Sequence, residues 1–162
     1  TADANVYVSL GILLRLDSED EVAALLAHEA AHVILGHANS DVVQKLQQRA
    51  RDAAEANQYS VMLELQADCY AGVWARDAAP RLNITQQDID EGMRAATAIG
   101  DDTLQRATQG RVVPDAFTHG TSEQRSRWLM TCFAANAAMR PKSSGVVSSS
   151  PMTAPSSSRS GT

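Results

Sequence analysis

Residues 18–36 read Ser-Glu-Asp-Glu-Val-Ala-Ala-Leu-Leu-Ala-His-Glu-Ala-Ala-His-Val-Ile-Leu-Gly. Ser18 with Glu21 three residues on forms a capping box, and Glu19, Asp20 and Glu21 set negative charge on the positive end of a helix dipole. Val22, Leu25, Leu26, Val33 and Leu35 carry a helical apolar periodicity as far as Gly36, a residue suited to the left-handed position past a helix end. In the middle of this helix stands His28-Glu29-Ala30-Ala31-His32. Residues four apart share a helix face, so His28 and His32 can each turn a ring nitrogen toward one point. Zinc accepts such nitrogens at about 2.0–2.1 Å. Glu29 lies on the edge of the same face, within reach of a water at the metal but not itself a ligand, which is the place of a general base. Ala24, Ala27, Ala31 and Leu35 keep this face small and apolar, against the plain alternative of two surface histidines.

Two histidines do not hold a catalytic zinc; a third protein ligand and an open position are needed. His37 is the nearest in sequence. A metzincin helix places Gly three and His six residues after its second His, whereas Gly36 and His37 stand four and five after His32. His37 therefore reads as a helix-end residue, where a cation suits the negative pole of the dipole. The better third ligand lies between Val61 and Ala75. On a helix, Val61, Glu64, Asp68, Ala71, Gly72 and Ala75 fall along one stripe, two carboxylates among small residues that invite close packing. An unpaired buried carboxylate costs several kcal/mol or turns neutral, so both need cationic partners. Glu64 completes a His-His-Glu set. Asp68, one turn on, can accept a proton from the far nitrogen of a ligand histidine and fix its tautomer. The plain alternative is a buried ion pair with Arg125 or Arg127.

Further along, His119 sits in the loop Phe117-Thr118-His119-Gly120 just before a helix. It is either a stabiliser of developing oxyanion charge or a solvated loop histidine. Arg125, one turn into that helix, is placed to pair with Asp68 or to hold a substrate carboxylate. Cys69 is either a packed thiol or half of a bridge with Cys132. Trp74 and Trp128 read as core or interface residues.

The remaining sequence reads as more helix. Residues 5–10 are β-branched and aromatic and predict a short N-terminal strand. Helices follow over 41–56 and 58–78, the latter stopping before Pro80. Thr85 with Asp88 opens another, to Ile99. Asp101 or Asp102 caps a short one to Ala107, residues 110–120 form a loop, and Thr121 or Ser122 starts a last helix to Met139. Ser143 to Thr162 hold nine Ser and no aromatic, too little apolar surface to offset ordering entropy. One domain over residues 1–140 and a disordered Ser-rich tail over 141–162 are expected. Ala supplies 27 residues and aromatics only 4%, which predicts closely packed helices. No apolar run reaches the roughly 18 residues that span a bilayer. The formal net charge of -5 argues against nucleic acid as a partner. The chain starts abruptly and reads like a piece of a longer protein.

The segments Glu64 to Ala75, Ala98-Ile99-Gly100-Asp101-Asp102, Gly110 to Asp115 and Phe117 to Ser122 with Arg125 resemble the signature of a bacterial neutral zinc metallopeptidase family. Ala30-Ala31 and Val33 to His37 are more similar to the HtpX-like, membrane-associated gluzincin peptidases. Both patterns share His-Glu-x-x-His with a downstream Glu and Asp. The resemblance implies a mainly α (α+β, zincin-like) fold, a helical bundle round the His28–His32 helix with a short N-terminal β-strand. It implies one catalytic Zn2+ held by His28, His32 and Glu64, Glu29 as base, Asp68 behind the ligands, and a protein or peptide substrate. Relatives typically carry an N-terminal membrane anchor, absent from this chain, with the catalytic domain outside the cytoplasm. The expected function is a zinc endopeptidase assisted by His119, with Arg125 near the site. The competing expectation is a non-catalytic, metal-stabilised helical binding module.

Overall fold

The structure, a computed structural model, describes residues 5–139; the Ser-rich segment 141–162 lies outside the described residues. Among the described residues, seven α-helices and two short 3-10 turns make up the regular structure. The expected strand at residues 5–10 is not formed, and among the described residues no strand occurs. A lone strand leaves its ladder groups unmet. Instead the Ser9 hydroxyl accepts from the Ile12 N–H and starts the four-residue helix α1 (Leu10–Leu13).

Helix α2 (Glu19–Ile34) is the one predicted from residues 18–36. The Ser18 hydroxyl caps the Glu21 N–H, and the Glu21 carboxylate turns back to accept from Asp17 N–H at 2.8 Å. Glu21 is buried and also meets Arg94 at 3.3 Å, which ties the start of α2 to a later helix. Gly36 ends α2 at φ +65°, a left-handed conformation that costs glycine nothing. A 3-10 turn (His37–Asn39) and α3 (Asp41–Arg49) follow.

Helix α4 (Ala53–Leu82) starts earlier and ends later than the sequence reading. The Asp52 carboxylate caps Glu55 N–H at 2.9 Å, which begins the helix at Ala53 and leaves α3 to stop at Arg49. Pro80 lies inside the last turn rather than beyond it. It forgoes one ladder bond there, and Asn83, left-handed at φ 53°, closes the helix by donating to the Ala79 carbonyl. Helix α5 (Gln86–Ala98) carries the full Thr85–Asp88 capping box. Helix α6 (Asp101–Gln109) is capped by Gly100 rather than by an aspartate. A 3-10 turn at Pro114–Ala116 interrupts the following loop, and α7 (Ser122–Met139) ends the described chain.

Helix α4 is the spine. Its most extensive partner is α7, while α2 packs on both α4 and α5. The core is rich in alanine, with Ala67, Ala71, Ala78, Ala95 and Ala96 buried beside Leu25, Leu65, Ile89 and Leu129. Small contact residues let the axes approach. At Gly72 of α4 the approach is closest: a Cβ there would run into the Leu129 carbonyl of α7. Cys69 and Cys132 are bridged, so α4 and α7 are also joined covalently. Trp74 and Trp128 stay half exposed, at 46% and 45%, and are not core residues. No described helix is long and apolar enough to cross a membrane.

Candidate metal centre

Helix α2 delivers His28 and His32 from successive turns of one face, and α4 delivers Glu64 opposite them. His28 Nε2 lies 3.1 Å from His32 Nε2 and 3.2 Å from Glu64 Oε2, and His32 Nε2 lies 3.4 Å from Glu64 Oε1. One ligand atom from each residue falls within 4.8 Å of the others. Two ligands at about 2.0–2.1 Å from a tetrahedral ion stand about 3.3 Å apart, so the donor set suits zinc in both chemistry and spacing.

Behind this triangle is a buried polar lattice. Asp68, one turn along α4 from Glu64, is 1% exposed. His28 Nδ1–H donates to its Oδ1 at 2.8 Å. Arg125 of α7, 2% exposed, grips the same carboxylate with two bonds, Nε to Oδ2 at 3.0 Å and Nη2 to Oδ1 at 2.9 Å. Thus Asp68 takes both sequence readings at once, orienting a histidine and pairing with an arginine. Arg125 also stands 3.2 and 3.3 Å by Nη2 from the two His28 ring nitrogens and 3.5 Å by Nη1 from the Ile99 carbonyl, so of its two sequence readings the structure shows the pair with Asp68.

Burial alone would push the Glu64 carboxyl up, but hydrogen bonds from His28 and His32 hold it far below the usual carboxylate range. Asp68 follows the same pattern: burial raises it, and its bonds from His28 and Arg125 bring it below its ordinary value. Burial pushes His28 down, yet the bonds to Asp68 and Glu64 and the Asp68 charge prevail and lift it to about 9. Burial shifts His37 downward, which the bond to Gln66 offsets only in part.

The triangle opens onto a cavity of about 460 Å³ lined by Glu29, His119 and an apolar wall including Leu25, Ile99 and Leu104. Glu29 follows the first histidine, and among the described residues its carboxylate has no hydrogen-bond or ion-pair partner. His119 reaches the same cavity from the loop before α7, its Nδ1 3.1 Å from Asp101 Oδ1 and 3.0 Å from Thr118 Oγ1. That loop is pinned from below. Asp101 Oδ2 accepts from the backbone N–H of Thr118, His119 and Gly120, at 2.7, 2.6 and 3.1 Å.

The sequence reading brought His28, Glu29, His32, Glu64, Asp68, Arg125 and His119 to one region, and the structure gathers all seven. It missed three contributors. By sequence Asp101 is one of two candidate caps, with Asp102; in the structure its carboxylate anchors the His119 loop. His37 was read as a helix end, yet its ring touches His32 at 2.9 Å. Gln66 had no assignment and meets His37 at 3.1 Å. A left-handed Gly36 just before His37 was the available signal, because such a residue turns the chain back over the helix it ends.

The fold and the centre define a class: a helical domain in which a His-Glu-x-x-His helix and a later acidic helix supply two imidazoles and a carboxylate to one point. The chain belongs to the family described as "Putative neutral zinc metallopeptidase", whose profile matches residues 2–141. It is 42% identical over 139 residues to Uncharacterized protein YpfJ of Escherichia coli strain K12, covering 82% of this chain and 48% of that protein. It is 40% identical over 115 residues to Uncharacterized protein Mb2605 of Mycobacterium bovis, covering 65% of this chain and 38% of that protein. The chain therefore spans about half the length, or less, of these curated relatives. No solved structure matches.

Proposed function

We propose that this domain is a zinc-dependent endopeptidase of the gluzincin type, with a zinc helix of HtpX-like sequence. One observation carries the reading: the three donors converge at tetrahedral-edge distances in a cavity that also holds the unpartnered carboxylate of Glu29. His28, His32 and Glu64 would hold a zinc ion, which would supply Lewis acidity, bringing the pKa of a water toward about 7 and polarising a peptide carbonyl. Glu29 takes the proton of the attacking water and hands it to the departing amine. His119, held through Nδ1, steadies the carbonyl oxygen as negative charge develops there. Asp68 keeps the His28 proton on Nδ1, so that Nε2 offers its lone pair. Arg125 holds Asp68 ionised.

The substrate is a protein or peptide, and the acidic balance favours partners other than nucleic acid. The Cys69–Cys132 bridge supports an oxidising compartment such as the cell envelope, in line with the extracytoplasmic placement expected of relatives.

The test replaces Glu29 by Gln and follows both zinc content and hydrolysis of an unstructured protein. Zinc is retained and turnover falls by about 10²–10⁴-fold, the usual contribution of a general base. Equal turnover of variant and parent removes Glu29 from the reaction.

A further inference from the structure

We propose that His37 and Gln66 form a two-step hydrogen-bond relay that positions His32 for metal binding. The relay rests on the zinc reading above. His32 reaches the centre through Nε2. Its other nitrogen, Nδ1, lies 2.9 Å from Nδ1 of His37. The two rings meet edge to face, their centroids 4.9 Å apart and their planes at 80°. The far nitrogen of His37, Nε2, lies 3.1 Å from Gln66 Oε1.

Chemistry fixes the direction of each bond. A neutral imidazole that gives its Nε2 lone pair to an ion keeps its proton on Nδ1. His32 Nδ1–H therefore donates to His37 Nδ1. His37 then carries its proton on Nε2 and donates it to Oε1 of Gln66, a carbonyl oxygen that can only accept. Each member is left with one arrangement, and the ligand ring with one tautomer. His37 is not a fourth ligand, because both of its nitrogens are engaged away from the triangle, and the convergent donor set is His28, His32 and Glu64.

The backbone explains how a residue five positions past His32 comes to face it. Gly36 turns the chain left-handed at φ +65°, and His37 opens the 3-10 turn that follows. Gln66 comes from α4, between Glu64 and Asp68. The relay thus ties the helix that supplies the histidines to the helix that supplies the glutamate. It gives His32 what Asp68 gives His28, with neutral partners in place of a carboxylate.

Zinc affinity, measured by competition with a chromophoric chelator, tests this on the parent, His37→Ala, Gln66→Met and Gln66→Glu. Gln66 is exposed, so its replacements leave the core untouched, and melting of the metal-free proteins checks the fold. His37→Ala weakens zinc about 10–100-fold, the usual effect of removing a partner behind a ligand. Gln66→Met weakens it in the same direction by less, while Gln66→Glu, which restores an acceptor oxygen, matches the parent. Imidazole ¹⁵N spectra of the zinc-loaded parent show protons on His32 Nδ1 and His37 Nε2, and in Gln66→Met the His37 Nε2 proton, with no acceptor, exchanges faster with water. Parent-like affinity in both His37→Ala and Gln66→Met overturns the relay while leaving the zinc site standing. Equal weakening in Gln66→Met and Gln66→Glu also overturns it, because the acceptor would then be irrelevant. A parent that binds no zinc overturns the zinc reading, and the relay with it.

Discussion

Asp68 meets a histidine and an arginine at once, in a place with almost no water. Removing one member of such a buried pair leaves the other uncompensated, at about 3–5 kcal/mol. Arg125→Met is therefore expected to lose stability of that order in urea denaturation; a loss under about 1 kcal/mol, the range of an exposed pair, would contradict this assignment. The same cluster sets a pH dependence. Glu64 and Asp68 are held low, so their contribution is present above the ordinary carboxylate pKa and is lost as pH falls through their folded values. His28 is lifted to about 9, so its contribution is complete below about 6.5 and is lost as pH rises through 9. With a chelator present, the melting temperature should fall between about pH 6.5 and 9. With zinc it should rise over the lower part of that window, because ligand histidines must shed their protons. Calorimetry at several pH values checks the opposing slopes, and a chelated protein that gains stability toward pH 9 would refute the first.

At the scale of elements, α4 holds the site together. Within a little over two turns it supplies Glu64 to the triangle, Gln66 to His37, Asp68 to His28, Cys69 to the bridge and Gly72 to the α7 contact. Gly72→Ala should therefore destabilise the protein by about 1–3 kcal/mol or more, as overpacking does, because backbone atoms of α7 stand where the new methyl would go. Equal thermal stability of this variant and the parent would mean that the two helices are not so close. Helices with a side-chain cap at the start and a clear stop were legible: Ser18 to Gly36, and Thr85 to Ile99. Where a tertiary partner or an unrecognised cap decides, the sequence misleads. Residues 5–10 look like a strand by side-chain type, but a strand is a property of a pair. Asp52 looked like one polar residue among many until its carboxylate was seen on Glu55 N–H. Of the candidate site, the His28–His32 pair is legible from helical spacing within α2, and Glu64 from the stripe of small residues round it on α4. The contacts of Asp101, His37 and Gln66 depend on how loops fold back, which spacing does not encode.

On the scale of the whole molecule, three long-range attachments converge on one cavity: α2 on α4, α7 on α4 through Asp68 and Arg125, and the His119 loop on Asp101, while the Cys69–Cys132 bridge ties α4 to α7 covalently. An alanine-rich core lets these helices stand close enough for short side chains to meet at one point. The chain spans about half, or less, of the relatives it matches, so the activity of the whole protein is a proposal tied to this centre. The most direct measurement is zinc stoichiometry with anomalous diffraction at the zinc edge, on the parent and on Glu64→Ala. One zinc per chain, located between His28, His32 and Glu64 and lost or greatly weakened in the variant, is the predicted result. Absence of zinc in the parent, or undiminished binding in Glu64→Ala, would contradict it.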